Sequence, residues 1–463
     1  MLSSLPAIHL VTLHGLVTVA AVLLYAVTSH AMQQRRQPAA AIGWVLFILL
    51  LPYVALPAFL AFGSRKLHRP DKPAPAAPDA TGSWAVQTIR ALGQPPAVSY
   101  AGLDLHRDGS HALQALLATI AGAQQTLDIC TFILGRDALG ERIVGMLCAK
   151  ARAGVRVRLL LDGLGCRMSA PPDLGPLTLA GGQVAVFAPP LRSPLHGRWN
   201  LRDHRKLVLA DAALEGGRMW CGGRNLATEY FEGSPHTAAW RDLTFDVSGA
   251  LVRQAVALFG HDWTSATEPD TRQAALAGPQ GAETTQGGAQ LVASGPDQPD
   301  DTIYELLVTS AYRAADRIAL VTPYFVPDSA LLSALVLAAR RGVAIELLIP
   351  RQSNHRLSDF VRGRALRSLA AAGAQVWLAP GMQHAKLAVV DDVLALAGSA
   401  NLDGRSLFLN FELMVAFHAP SDVTRFRQWF DVERDRAERF LPDRPGFWRD
   451  IAEGMLLWVA FQL

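Results

Sequence analysis

What most restricts how this 463-residue chain can fold is an internal repeat of polar residues set in apolar runs. His204-Arg205-Lys206, then four residues, Asp211 and Gly222-Gly223-Arg224-Asn225, recurs as His384-Ala385-Lys386, four residues, Asp391 and Gly398-Ser399-Ala400-Asn401. The histidines stand 180 positions apart (384 minus 204), and the junctions Gly154-Val155 and Gly342-Val343 stand 188 apart (342 minus 154). Near-equal offsets imply duplication of a whole lobe. Each motif is preceded by a strand, helix, strand succession, at 126–133, 138–153 and 155–161 and again at 317–325, 329–341 and 343–349. Such units close through crossovers. The spacing therefore predicts an α/β fold of two duplicated lobes, with mostly parallel sheets flanked by helices.

A histidine and a lysine two residues apart leave an extended segment on the same face, which pairs an imidazole with a cation. Asp391 lies an odd seven residues beyond His384, so it turns away or sits in the tight turn and is expected to hold the backbone. Ser399 and Asn401 follow a glycine that permits a close turn, and offer neutral hydrogen-bonding groups. One HxK is as a rule a surface pair; two copies in apolar runs argue for chemistry. Breaking a phosphodiester needs an in-line nucleophile, an acid for the leaving oxygen and positive charge around the other oxygens. Two motifs facing across a lobe interface supply these around a single phosphate. No metal or other cofactor is called for, because Lys206 and Lys386 provide the charge and no carboxylate cluster with metal-ligand spacing lies near either motif.

The motifs resemble the phospholipase D superfamily signature, HxKxxxxD with a downstream G-[GS]-x-N, and more closely the bacterial cardiolipin synthases. The resemblance runs from Arg35-Arg36-Gln37-Pro38, Gly43-Trp44 and Leu51-Pro52-Tyr53 through residues 200–206, Trp240-Arg241-Asp242, Pro323-Tyr324-Phe325-Val326-Pro327-Asp328 and 401–406. It implies phosphatidyl transfer from one phosphatidylglycerol to another, giving cardiolipin and glycerol through a phosphohistidine. By resemblance His204 is the nucleophile and His384 the general acid and base; the residues alone leave that order open. The resemblance also places Lys206, Lys386, Asp211 and Asp391 in the catalytic motifs and Asn225, Ser399 and Asn401 around the substrate phosphate. It makes Glu412 the orienting partner of His384, and Asp242 the corresponding residue of the first lobe. One departure is visible: ten residues separate Asp211 from Gly222 against six between Asp391 and Gly398, which lengthens the first hairpin.

Phosphatidylethanolamine as a substrate and hydrolysis by water stay open as alternatives. A superfamily nuclease is disfavoured, since a net charge of +3 offers no basic surface for nucleic acid. A catalytically silent scaffold is opposed by the His, Lys and Asn kept in both copies.

Two apolar runs, about 8–27 and 39–62, predict two transmembrane helices in an anchor spanning 1–69, with kinks at Pro52 and Pro57. A cleaved signal ending near Ser29-His30-Ala31 is disfavoured because no basic segment precedes the apolar run. Arg35 and Arg36 connect the runs, whereas Arg65, Lys66, Arg69 and Lys72 follow the second, so the catalytic part is expected in the cytoplasm of a bacterium, anchored as a multi-pass protein of the inner membrane. Residues 70–90 read as a Pro/Ala-rich tether, 91–266 as the first lobe, 267–290 as a linker and 291–463 as the second lobe. A helix is predicted over 111–122 and a charged one over 425–440. The tryptophan-bearing end, 447–463, reads first as a helix packed on its own domain and second as a membrane-docking segment. Cys130, Cys148, Cys166 and Cys221 lack CxxC spacing and read as small buried apolar residues.

Overall fold

In a computed structural model of the chain, the described residues are 5–31, 38–63, 66, 82–188, 200–233, 237–268 and 287–460. Most of the expected tether and linker, and Arg35, Arg36, Arg65, Arg69 and Lys72, lie outside them.

The first lobe contains β1 (Tyr100–Leu105), β2 (Thr126–Thr131), β3 (Arg156–Asp162), β4 (Gln183–Phe187), β5 (Leu207–Ala210), β6 (Arg218–Gly222) and β7 (Thr244–Gly249), in spatial order β1-β7-β6-β5-β2-β3-β4. The second contains β8 (Ala289–Ser294), β9 (Arg317–Val321), β10 (Ala344–Pro350), β11 (Gln375–Ala379), β12 (Leu387–Val390), β13 (Leu394–Gly398) and β14 (Asn410–Phe417), ordered β8-β14-β13-β12-β9-β10-β11. Each strand thus has its counterpart seven strands later, as duplication requires. The parallel pairs are β2-β3, β3-β4, β9-β10 and β10-β11, and the other pairs along these two orders are antiparallel. The expected mostly parallel sheets are therefore mixed sheets. The physical reason lies after each motif, where β5-β6 and β12-β13 return directly as hairpins, and hairpins are antiparallel by construction. The first hairpin loop runs over 211–217 and the second over 391–393, the four-residue excess anticipated from the spacing.

Alternation along the strands builds a layered core. On β5, Leu207 and Leu209 enter a central cluster, while Val208 and Ala210 face the first lobe's outer helices. The same central cluster takes Leu387 and Val389 of β12, together with Leu251, Phe259, Phe426 and Phe430 from the helices Ala250–Thr267 and Pro420–Arg434. The two lobes consequently share one core. The helix expected over 425–440 begins five residues earlier, with Pro420 in its first turn, and stops at Arg434; Glu438–Arg439 instead pairs with β11 at the sheet edge. The crossover helices Ala138–Arg152 and Ser329–Arg340 both start on a capping aspartate, Asp137 or Asp328, and are followed by Gly154 (φ 86°) and Gly342 (φ 95°). A left-handed residue there turns the chain back onto the sheet, which is why both junctions need glycine.

At the N-terminus, α1 (Leu5–Ala31) is the one described helix long and apolar enough to cross a bilayer. The second apolar run divides into α2 (Pro38–Leu50) and α3 (Pro52–Phe62). Pro52 has no N–H to donate and Leu51 takes a non-helical conformation (φ −139°, ψ 58°), so the run breaks rather than bends there. Pro57 is accommodated inside α3. Ala21, Ile48 and Ala55 are buried where the three helices meet, whereas Leu13, Leu16, Leu23, Leu46 and Val54 point outward. Lys66 reaches the second lobe, donating to the Gly295 carbonyl and pairing with Asp301 at 3.0 Å.

Candidate active site

The motif histidines sit beyond the C-terminal ends of β2 and β9. Each HxK lies just before a strand rather than within it, β5 beginning at Leu207 and β12 at Leu387. Backbone pairing across the lobes fixes both. Arg202–Asp203 runs parallel to Asn410–Phe411, and the His204 amide donates to the Phe411 carbonyl at 2.9 Å. In the matching place, Gln383 bridges Arg241, and the His384 amide donates to the Arg241 carbonyl at 2.6 Å. The chain leading into each histidine is thereby paired with the chain leading into the other lobe's acid.

The consequence is a swap. His204 Nδ1 lies 3.0 Å from Glu412 Oε1, and His384 Nδ1 lies 2.7 Å from Asp242 Oδ2. The expected pairing of Glu412 with His384, and of Asp242 with His204, is corrected: each acid orients the histidine of the opposite lobe. Glu412 and Asp242 occupy equivalent places, two residues before the β13-paired Met414 and the β6-paired Thr244, so the exchange obeys the duplication. Each carboxylate accepts from Nδ1, which turns Nε2 toward the site; at His384, Lys386 Nζ stands 3.1 Å from that Nε2 and also donates to the His384 carbonyl.

The two acids are supported differently. Glu412 accepts from the Ser399 hydroxyl and from Asn410 Nδ2 at 3.2 Å. Beside Asp242 stands Gly223, the counterpart of Ser399; a Cβ on Gly223 would lie 2.2 Å from Asp242 Oδ1. Absence of a side chain there makes the space that the carboxylate fills.

Burial dominates the electrostatics. It pushes the His204 imidazole down to about 4, with Lys206 and Lys386 adding to the effect and Glu412 opposing it. Burial and then the Lys386 charge take His384 down to about 3. Lys206 falls to about 8 and Lys386 to about 7, again chiefly through burial. For Asp242 and Glu412 burial works upward, but the adjoining histidine and lysine charges prevail, so both carboxyls stay below their ordinary values and ionised. The site brings together two neutral imidazoles, two carboxylates and two lysines whose buried charge an anion would offset. His204 is the more open histidine, its side chain 13% exposed against 5% for His384.

Not every residue expected at the phosphate faces it. Asp211 (φ 50°) accepts from the backbone N–H groups of Gln124, Gln125 and Thr126, and Asp391 (φ 49°) from those of Ala315, Asp316 and Arg317. Both carboxylates cap the start of a central strand, at the end remote from the histidines. This corrects their placement among catalytic groups and agrees with the odd separation in the sequence. Asn225 donates to the Tyr230 hydroxyl at 2.7 Å and accepts from the Ile133 N–H, so both ends of its amide are occupied. Asn401 is different: its Oδ1 is buried without a partner among the described residues.

Three aromatic residues at the site gave no signal in the sequence. Tyr230 lies edge-on to His384 at 5.1 Å between ring centres, and Trp240 lies at 5.6 Å. Phe132 takes the corresponding place beside His204 at 5.2 Å. Trp240 belongs to the Trp240-Arg241-Asp242 motif, where the acid alone carries the signal; Tyr230 and Phe132 have neither the period nor the spacing that would single them out. Arg205, between the motif residues, donates from Nε to the Glu412 carbonyl at 3.1 Å and pairs with buried Asp262, clamping the first lobe onto β14.

Comparison with known proteins agrees with this geometry. Residues 116–263 and 307–434 match the family described as "Cardiolipin synthase, PLD-like domain", and residues 18–64 match "Phospholipase_D-nuclease N-terminal". The chain is 31% identical over 441 residues to "Cardiolipin synthase A" of Pseudomonas entomophila (strain L48), covering 88% of this chain and 89% of the relative. It is 30% identical over 410 residues to "Cardiolipin synthase A" of Pseudomonas putida (strain W619), covering 83% and 84%. Among solved structures, the phosphatidylserine synthase of Haemophilus influenzae Rd KW20 superposes with a TM-score of 0.64 over 82% of this chain and 100% of that one, at 12% identity. That likeness is one of fold.

Proposed function

The chain belongs to the cardiolipin synthase family of phospholipase D-like proteins, and we propose that it transfers a phosphatidyl group from one phosphatidylglycerol to another, forming cardiolipin and glycerol. The observation that carries this reading is the crossed pair of histidine–acid couples, His204–Glu412 and His384–Asp242, beside two buried lysines.

In this reading His204 Nε2 attacks the phosphorus of the first lipid. A P–N bond forms as the P–O bond to the glycerol headgroup breaks, and protonated His384 gives its proton to the departing alkoxide, releasing glycerol. His384 then takes a proton from the glycerol hydroxyl of a second phosphatidylglycerol. That oxygen attacks phosphorus, the P–N bond breaks and cardiolipin leaves. Greater exposure of His204 supports it as the nucleophile. The diester's negative charge opposes the lowering at His384, Lys206 and Lys386, which favours the protonated acid and the charged lysines in the complex. Asn401 leaves its carbonyl oxygen for a lipid hydroxyl, while its amide N–H groups can donate to a phosphate oxygen. Lys206 and Lys386 supply the positive charge around the phosphate.

The bilayer reading completes the proposal. α1 crosses the membrane and α2 with α3 returns through it as a broken span, with the two lobes, 91–266 and 291–463, on the cytoplasmic side. The match over residues 18–64 and the outward apolar residues of α1 to α3 support it.

The test is the purified chain in phosphatidylglycerol vesicles, with lipid products separated chromatographically. Cardiolipin and glycerol in equal amounts are expected. Phosphatidic acid without cardiolipin would show a hydrolase. With labelled lipid, His384→Ala should retain a phosphatidyl group on the protein and His204→Ala should not; the reverse pattern would exchange the two roles.

A further inference from the structure

The C-terminal helix Phe447–Ala460 has two unlike faces. One is packed: Glu453 is fully buried and accepts from Arg449 Nε at 2.9 Å and from Arg367, and the helix rests on the helices Arg356–Val361 and Gly363–Ala371. On the other, Phe447, Trp448, Ile451 and Met455 fall at helical spacing, with exposures of 72%, 79%, 39% and 70%. Phe447 and Trp448 form an edge-to-face pair 5.3 Å apart. Beside this face runs an open groove of about 600 Å³ lined by Arg364, Asp450, Ile451, Gly454 and Met455. Gly454 lets Arg364 lie close, since a Cβ there would stand 3.2 Å from the guanidinium Nη1. Arg364 is exposed, and its guanidinium has no hydrogen-bond or ion-pair partner among the described residues.

The two helices that carry the C-terminal helix follow the same end of the second sheet as the histidines. His384 precedes β12, whose Leu387 is opposite Val321, the last residue of β9. β10 is parallel to β9, and its C-terminal end leads through Asn354 into the two helices that carry the C-terminal one. Tyr324, just past β9, donates to Asn354 Oδ1 at 2.6 Å and ties the two loops together.

We propose that this face docks on an anionic bilayer surface, with the aromatic pair in the headgroup boundary and Arg364 paired to a lipid phosphate. The argument for lipid over a second copy is the chemistry. Two exposed aromatic rings next to an unpaired arginine fit the boundary between headgroups and acyl chains, whereas four residues on one helix are too few for a stable protein interface. Docking would set the active-site end against the membrane independently of the N-terminal helices. The inference goes beyond the reaction proposed above and does not depend on it.

The test uses the full chain with Cys166→Ser, the other three cysteines being buried, and Met455→Cys labelled with an environment-sensitive dye. The reference label is Arg152→Cys, exposed at the opposite end of the sheets. The protein is reconstituted into phosphatidylcholine vesicles with or without phosphatidylserine, an anionic lipid that is not the proposed substrate. With phosphatidylserine the label at 455 should shift to the blue and lose quenching by aqueous iodide, while that at 152 stays exposed. Arg364→Ala should lower the docked-to-undocked ratio about fivefold, the effect of one surface charge, and Trp448→Ser should lower it as well. A label at 455 that stays open to iodide in both vesicle types overturns the proposal. So does one shielded equally in phosphatidylcholine vesicles without phosphatidylserine, because the chain itself, a second copy or a neutral bilayer would then cover the face. Failure to form cardiolipin leaves this readout untouched.

Discussion

His204 and Glu412 are 208 residues apart and belong to different lobes, yet imidazole Nδ1 and carboxylate Oε1 lie within 3.0 Å. His384 and Asp242 repeat the relationship in the opposite direction at 2.7 Å. Neither lobe can assemble a correctly oriented histidine by itself. Glu412→Gln replaces an acceptor by an amide that can turn its donor toward Nδ1 and favour the wrong tautomer. The expected loss is about two to four orders of magnitude in kcat with little change in KM, because orientation acts on the transition state. Asp242→Asn should cost a similar amount. If His204 is the nucleophile, Glu412→Gln slows formation of the phosphatidyl-enzyme, and rapid-quench trapping of labelled protein separates it from Asp242→Asn.

The pH response follows from burial. Burial holds His204 down to about 4 and His384 to about 3, and takes Lys386 down to about 7 and Lys206 to about 8. A profile of kcat/KM should rise as pH climbs toward about 4, where the nucleophile becomes neutral, decline beyond it because His384 must take up a proton on binding, and fall more steeply above about 7 as Lys386 loses its proton. Stability moves otherwise. Each histidine's folded value is below its ordinary 6.5, so the unfolded chain binds more protons; this contribution is present above 6.5 and is lost as pH falls through the folded values. The lysines' folded values also lie below the ordinary 10.5, so their contribution grows as pH rises from about 7 toward 10.5. Alkaline loss of activity should accordingly occur without a matching fall in the melting temperature contributed by these groups. Parallel activity and melting curves would contradict the assignment of the alkaline limb to the lysines.

Asp391 and Asp211 lie in the signature but serve the backbone. Each accepts from three successive N–H groups at the start of a central strand and holds a positive φ that few residues adopt readily. Asp391→Ala should destabilise the fold by about 1–3 kcal/mol, the cost of orphaned backbone donors, measured by denaturant unfolding. Activity per folded molecule should change less than about threefold, a difference no larger than about 0.6 kcal/mol in the barrier. A loss of several orders of magnitude in the folded variant would return Asp391 to the reaction.

How far the residues themselves revealed this arrangement depended on how local each feature was. Asp391 was legible because the parity of a short extended run decides which way a side chain turns. Gly154 and Gly342 were legible because a chain reversal after a helix is a local demand. Mixed sheet order was not, since the strand, helix, strand spacing says nothing of how the motif hairpins add to the sheet. Nor was the exchange of Glu412 and Asp242 between lobes. That depends on Arg202–Asp203 pairing with Asn410–Phe411 and Gln383 with Arg241, contacts between segments roughly 140 to 210 residues apart. Tyr230 and Phe132 reach the histidines through tertiary packing alone.

The difference between Gly223 and Ser399 gives the sharpest test of the crossed site. In the second lobe the Ser399 hydroxyl donates to Glu412 and its oxygen accepts from the Leu413 N–H at 3.0 Å. In the first, a Cβ at 223 would approach Asp242 Oδ1 to 2.2 Å and Cγ to 2.9 Å, too close for any real contact. Making the lobes alike should therefore have opposite costs. Ser399→Gly removes one charge-assisted hydrogen bond, about 1.5–3 kcal/mol, and should lower kcat by about 10- to 100-fold while Glu412 keeps His204 and Asn410 as partners. Gly223→Ser must push the Asp242 carboxylate away from His384 and should approach the loss expected for Asp242→Asn, although position 223 touches no substrate in the proposed reaction. Combining Gly223→Ser with Asp242→Asn should then add little, because both act on one orientation. Full additivity of the two losses would mean that residue 223 acts by some route other than the carboxylate of Asp242.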